Sequence, residues 1–111
     1  MKKVVLLYGF FLMLAFLGCK KESQTPGCIS SKIEEFKQTT SCNIGSSVKE
    51  YKFQSKRVFV FDPGTCGADL TSQVFDENCN SLGYLGGIAG NSKINGEDFN
   101  QAKFVRIVWV R

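Results

Sequence analysis

The chain has 111 residues, 43% of them hydrophobic and 22% charged, with 14 basic and 10 acidic side chains and no histidine. The missing histidine excludes Ser-His-Asp and Cys-His catalysis and every imidazole metal ligand. The slight positive balance comes without a basic cluster interleaved with aromatics, so nucleic acid is not an expected partner.

Residues 1–19 determine where the protein is sent. Lys2 and Lys3 precede an apolar run of 14 residues, Val4 to Leu17, closed by Gly18 and Cys19. A helix crossing a bilayer needs about 20 such residues, whereas a signal peptide needs roughly 7–15 and a small residue at its cleavage site. Ordinary secretory cleavage after Gly18 would want a small residue where Phe16 stands. The Gly18-Cys19 ending resembles a bacterial lipobox, with Phe16 in the place usually held by Leu, Val or Ile. That resemblance implies that Cys19 is acylated and becomes the first mature residue. No Asp follows Cys19, so the outer membrane is the expected destination, with the leaflet left open.

Removing residues 1–18 leaves 93, enough for one domain. The expected organisation is a signal peptide over 1–18, a lipidated tether over 19–27 and a single domain over 28–111. Lys20 to Gly27 is polar, holds Pro26 and Gly27 and has no periodicity, as a tether should. With Cys19 acylated, Cys28, Cys42, Cys66 and Cys79 remain, an even set that reads as two disulfides in a small exported domain. No C-x-x-C pair is present, so no zinc site and no other metal is expected.

The first element is a helix from about Ser31 to Gln38. Ser31 and Glu34 have the spacing of a capping box, and Ile29, Ile33 and Phe36 share one face. Two alternating, aromatic-rich runs follow, Val48 to Gln54 and Arg57 to Phe61, reading as a hairpin around Ser55 and Lys56. Both faces of the second run are apolar, as in a central strand. Cys66 to Asp69 is a loop, Gln73 to Asp76 a third strand, and Leu82 to Leu85 a fourth. Asn95 and Gly96 make a turn before a short helix over Glu97 to Lys103, with Phe99 and Ala102 inward. Phe104 to Val110 is the last strand, placed inside the sheet by its apolar faces, with Val105, Ile107 and Trp109 together on one of them. The fold expected is α+β: an N-terminal helix packed on an antiparallel sheet of four or five strands. Its core should draw on Ile29, Ile33, Phe36, Tyr51, Phe53, Phe59, Phe61, Ile107 and Trp109.

Four cysteines allow three pairings. Cys28 with Cys42 is disfavoured, because the intervening helix carries the chain about 10–12 Å along its axis at ~1.5 Å per residue and few residues remain for the return. The hairpin brings the segments before Val48 and after Phe61 to one end. That favours Cys42–Cys66, and with it Cys28–Cys79.

These residues resemble a family of small Bacteroidota lipoproteins catalogued as a domain of unknown function. The resemblance is carried by Cys28-Ile29, Tyr51 and Phe53, Val58 to Phe61 with Pro63-Gly64, Cys66 to Asp69, Gly83 to Gly90, Asn95-Gly96 and Trp109. It implies one domain on a lipid anchor and brings no activity or ligand.

Asp76, Asn78 and Asn80 repeat the first spacing of an EF-hand loop, but Ser81 and Gly87 stand where Gly and Glu are needed, so an Asx turn is the better account. The run Gly83, Gly86, Gly87 and Gly90 lacks phosphate-loop spacing and reads as positive-φ turns. Gly67, Asp69, Gly86, Gly87 and Asn91 remain candidate binding loops, since cross-linked glycine loops present backbone donors and acceptors at small entropic cost. The function expected is a non-enzymatic binding or interaction module of the cell envelope, held to the membrane by lipid and contacting an envelope protein or glycan, with no cofactor. The alternatives are a small enzyme using Asp62, Asp69 or Asp76, or a purely structural envelope component.

Overall fold

The structure, a computed structural model, describes residues 24–111. The signal peptide and Cys19 lie outside the described residues. Helix α1 runs from Gly27 to Thr39, four residues earlier than the Ser31 start expected from the capping box. Pro26 is its N-cap at φ −56°, and the Pro26 carbonyl accepts the first helical bond from the Ser30 amide at 3.0 Å. Proline fixes a helical φ and has no N–H to leave unpaired, so it starts a helix where it would break one further in. The Ser31 hydroxyl instead donates backwards to the Gly27 carbonyl within the helix. Ile29, fully buried, and the Cys28 disulfide hold this first turn on the sheet.

The strands follow in order: β1 (Ser47–Phe53), β2 (Lys56–Asp62), β3 (Thr71–Asp76), β4 (Ser81–Gly86), β5 (Lys93–Ile94), β6 (Glu97–Asp98) and β7 (Lys103–Val110). Five form one sheet in the order β4-β3-β2-β1-β7, every pair antiparallel, and β5 and β6 make a separate small hairpin. The β1–β2 turn is Gln54-Ser55 rather than Ser55-Lys56, and both residues take positive φ, 52° and 62°. That is the two-residue turn whose twist suits a hairpin, built here without the usual Asn-Gly.

Apolar side chains pack on both faces of the sheet. Beneath α1, Val48, Phe59, Phe61 and Phe75 meet Ile29 and Ile33, with Phe36 and Trp109 at the margin. On the other face Phe53, Val58, Val60 and Val74 pack with Ile94 from the small hairpin, flanked by Tyr51 and Phe99. The double-sided apolar pattern of β2 thus corresponds to a central strand. Cys28–Cys79 and Cys42–Cys66 are both formed, with Cα separations of 6.1 and 5.6 Å.

Two expectations are corrected by the C-terminal segment. The helix expected over Glu97 to Lys103 is one 3-10 turn, Phe99–Gln101, whose Asn100 amide donates to the Asp98 carboxylate at 2.9 Å. Strand β7 is an edge strand, not an interior one. Its pairing with β1 is irregular at two places, so Trp109 opposes Val48 and Arg106 opposes Glu50 on the helix side, while Ile107 opposes Lys49. Each bulge adds one residue and reverses the alternation. Ile107 therefore leaves the expected core and is 54% exposed.

Candidate functional site

Helix α1 reaches Trp109 on one side and Phe61 on the other through Phe36, with ring centroids at 5.9 and 5.4 Å. Placed there, it leaves the β3–β4 side of the same sheet face uncovered. The result is an open groove of about 310 Å³ between α1 and β2–β4. Phe61, Phe75 and Tyr84 provide its aromatic surface, and Lys32, Glu35, Gln73, Thr39 and Thr71 its polar groups. Tyr84 is 50% exposed. The Lys32 ammonium lies 4.6 Å from the centroid of the Phe75 ring, a cation–π contact that holds a positive charge at the groove wall. Gln73 is oriented by its Nε2 donating to Ser81 Oγ at 3.0 Å.

A second depression, about 270 Å³, adjoins the C-terminal end of α1 and shares Thr39 and Pro63 with the groove. Cys42, Cys66, Gly67 and Leu70 line it. Here the loops singled out by composition come together, because the Gly87 amide donates to the Leu70 carbonyl at 3.3 Å. Their parts differ, however. Gly67 lines the depression and Asp69 is exposed beside it. Gly86 and Gly87, at φ 84° and 78°, form a tight turn. Asn91 belongs to the turn's own frame: it exchanges backbone bonds with Gly86, and its side chain donates to the Tyr84 and Lys93 carbonyls. Asn91 thus sets the position of Tyr84 and offers little to a ligand.

Asp62 and Asp76 are held apart in separate turns. Asp62 accepts from the Gly64 amide at 2.8 Å, closing a turn. Asp76 pairs with Val58, four residues along β2 from Asp62, so about 13 Å separates the two positions at ~3.3 Å per residue. The Asp76 carboxylate accepts from the amides of Asn78 and Asn80 and from the Asn80 side chain, at 2.9 to 3.0 Å, which is the expected Asx turn. Burial alone would push its carboxyl up, but the bonds from Asn80 and Asn78 and the charge of Lys56 hold it below its ordinary value. Among the described residues, no group of three Cys, Asp or Glu side chains is placed to hold a metal ion.

One buried cluster was not anticipated from sequence. Glu50, 4% exposed, lies under the start of α1 with Arg57 on one neighbouring strand and Arg106 on the other. Arg57 donates Nε to Oε2 at 2.9 Å and Nη2 to Oε1 at 3.2 Å, and Arg106 donates Nε to Oε1 at 2.9 Å. Burial raises the Glu50 carboxyl, but the hydrogen bonds and charges of the two guanidiniums outweigh it and bring it below its ordinary value. With both oxygens engaged and the group ionised, Glu50 is not placed to act as an acid or base. The same guanidiniums reach outward, Arg57 Nη2 to the Gln24 carbonyl at 2.9 Å and Arg106 Nη2 to Thr25 Oγ1 at 3.0 Å. The segment read as tether thus joins the domain from Gln24 onward. The sequence signal was available: Glu50 shares a strand face with Val48, and Arg106 interrupts an otherwise apolar run.

Fold and groove together define a small α+β domain, cross-linked near both ends of its helix, with an open groove between helix and sheet. A family model described as Domain of unknown function (DUF6970) matches residues 34–111, and the chain belongs to that family. No curated protein and no solved structure matches the chain.

Proposed function

We propose that the protein is a lipid-anchored, non-enzymatic binding module of the cell envelope, carried on the outer membrane as the Bacteroidota lipoproteins it resembles would be. The observation that carries the binding role is the groove, whose floor is formed by the largely buried Phe61 and Phe75 and whose wall carries the half-exposed Tyr84 beside Lys32, Glu35 and Gln73. Aromatic surface with a few convergent polar groups is the usual make-up of a recognition site. Phe61 and Phe75 continue into the buried core, so the groove floor is rigid and a ligand orders little on binding. The anchor rests on the apolar run from Val4 to Leu17 and its Gly18-Cys19 ending. The partner classes that suit this surface are an envelope protein segment or a glycan.

A photo-crosslinking amino acid at position 84, in the native envelope, tests the binding role against the same probe at Glu97, which lies on the small hairpin. One discrete adduct from position 84 and none from position 97 is expected. Identical or diffuse labelling at both positions would refute a specific groove ligand. For the anchor, Cys19→Ser should abolish acyl labelling and leave an unprocessed precursor; unchanged labelling would end that part of the reading.

A further inference from the structure

The two edges of the five-stranded sheet are not alike. Beside β4, Asn91 bridges Gly86 and β5 packs near, whereas β7 has no outer neighbour among the described residues. Yet β7 exposes Phe104, Val105, Ile107 and Val110 by 50 to 61% each. Edge strands are normally blunted by charge, proline or a covering loop. Here the mid-strand cation, Arg106, turns inward to Glu50, and β7 contains no proline. The charges around the row are of one sign: Lys49 opposes Ile107 and Lys52 opposes Lys103, while Glu50, the one acid on β1 or β7, is buried.

The start of the described chain lies over β1 beside this edge, with Gln24 held by Arg57 from β2 and Thr25 by Arg106 from β7. Thr25 lines, with Val108 and Trp109, a shallow cleft between α1 and β7. Six residue steps separate Thr25 from Cys19, a reach of at most about 20 Å at ~3.4 Å each. An acyl chain on Cys19 therefore keeps the bilayer within reach of β7. Strand β4 and the groove lie four strand spacings away, about 19 Å at ~4.8 Å each.

We propose that the exposed row of β7 is a membrane-contacting surface. Phe104, Val105, Ile107 and Val110 enter the boundary between headgroups and acyl chains, and Lys49, Lys52 and Lys103 meet anionic headgroups. The domain then rests on its β7 edge with the α1–β4 groove turned away from the bilayer. A second copy fits this edge less well, since antiparallel β7–β7 pairing centred on Ile107 sets Lys103 against Arg111 across the interface. The proposal rests on acylation of Cys19.

The test uses the mature, acylated protein reconstituted into vesicles of phosphatidylethanolamine and phosphatidylglycerol containing brominated lipid. Trp109, the one tryptophan, sits on β7 and reports contact by fluorescence quenching. Bromolipid should quench it, and Ile107→Glu with Val110→Glu should reduce the quenching about threefold, because charged side chains leave the interface. Both positions are more than half exposed, so the variant should keep its disulfides and circular dichroism. Equal quenching in an acylated variant, or none in the acylated wild type, overturns the surface and leaves the anchor standing. A protein whose mass shows no acyl chain overturns the anchor, and the orientation with it. A wild-type dimer that the variant dissolves assigns the edge to a second copy and overturns the membrane contact.

Discussion

Replacing Glu50 with Gln keeps the shape of the side chain and removes its charge, which makes it the sharpest probe of how this fold is held together. In the folded protein the carboxylate receives three guanidinium hydrogen bonds and is nearly sealed from water. Removing one partner of a fully buried ion pair costs about 3–5 kcal/mol, chiefly through the charge left behind. Here the Arg57 and Arg106 side chains are 28% and 30% exposed and can regain water, so the expected loss is smaller, about 2–3 kcal/mol. The charge also sets a pH dependence. The folded carboxyl titrates below its unfolded value of about 4.3, so its contribution is complete above that value and is lost as pH falls through the folded one. Urea unfolding with the disulfides intact, at neutral pH and at steps below pH 5, measures both effects. Glu50→Gln should be less stable at pH 7 and flatter in acid. A variant within about 0.5 kcal/mol of wild type at pH 7, or one with an unchanged acid slope, would refute the reasoning, since that is the scatter of ordinary surface changes. Asp76 is also held below its ordinary value, so Asp76→Asn serves as the control that removes a separate contribution to the acid slope.

Other perturbations test the remaining parts of the frame. Replacing both Cys28 and Cys79 by Ser should cost about 3.5 kcal/mol, close to the figure for Cys42 and Cys66, because the nested Cys42–Cys66 bond shortens the loop that the outer one closes from its sequence separation of 51 to about the 24 of the inner one. Chemical denaturation of the two double variants gives the two losses, and a difference of more than about 1 kcal/mol between them would count against unfolded-chain constraint as the main cause. Gln54→Asn with Ser55→Gly places favoured residues at two positive-φ positions and should raise stability by about 0.5–1 kcal/mol in a thermal melt. A neutral or negative result would mean that the hairpin turn is not built as described. Gly64→Ala should destabilise by about 1–3 kcal/mol, because a Cβ at φ 93° would run into the Ile44 carbonyl oxygen and stand 2.9 Å from Cys42 Sγ. Slower formation of the Cys42–Cys66 bond on refolding should accompany it.

How far the fold could be read from sequence depended on whether each signal was local. The β1–β2 hairpin was legible because aromatic alternation on both arms fixes the faces, even though its turn lacks Asn-Gly. From that hairpin the disulfide pairing followed, since closing it brings Cys42 and Cys66 to one end. The start of α1 was not legible by the same means. Pro26 and Gly27 read as breakers, and only the burial of Ile29 and the bond to Cys79 show that they begin a helix. Ile94 is 1% exposed, yet it sits in a polar stretch beside Asn95-Gly96, where no periodicity marks it as core. The glycine run announced a turn correctly, but nothing local revealed that the exposed surface beside it belongs to Tyr84 and Gln73, which join the groove only through strand pairing.

Strand β7 shows why an apolar pattern is an ambiguous guide to position in a sheet. Interior strands are apolar on both faces because both are covered. An edge strand that meets a second apolar phase outside the domain carries the same signature for a different reason. In β7 core packing and exposure fall on different residues. Val108 and Trp109 pack on the core beneath α1, while Phe104, Ile107 and Val110 face outward, and the two bulges sort them. Strict alternation would have placed Ile107 with Trp109 and left Arg106 facing outward, without Glu50. The bulge between them turns the arginine inward to neutralise the buried carboxylate and turns the isoleucine out. A deletion that removes Val108 takes out the extra residue and with it the bulge, while Trp109 still opposes Val48, Ile107 still opposes Lys49 and Arg106 still opposes Glu50. It should therefore keep the Glu50 contact and the acid slope and lose only the packing of Val108 on the core, at a cost of about 1–3 kcal/mol. If the deletion variant instead loses the acid slope that Glu50 gives the wild type, Arg106 no longer reaches Glu50, and the account of Val108 as the extra residue that sets the faces of β7 fails with it.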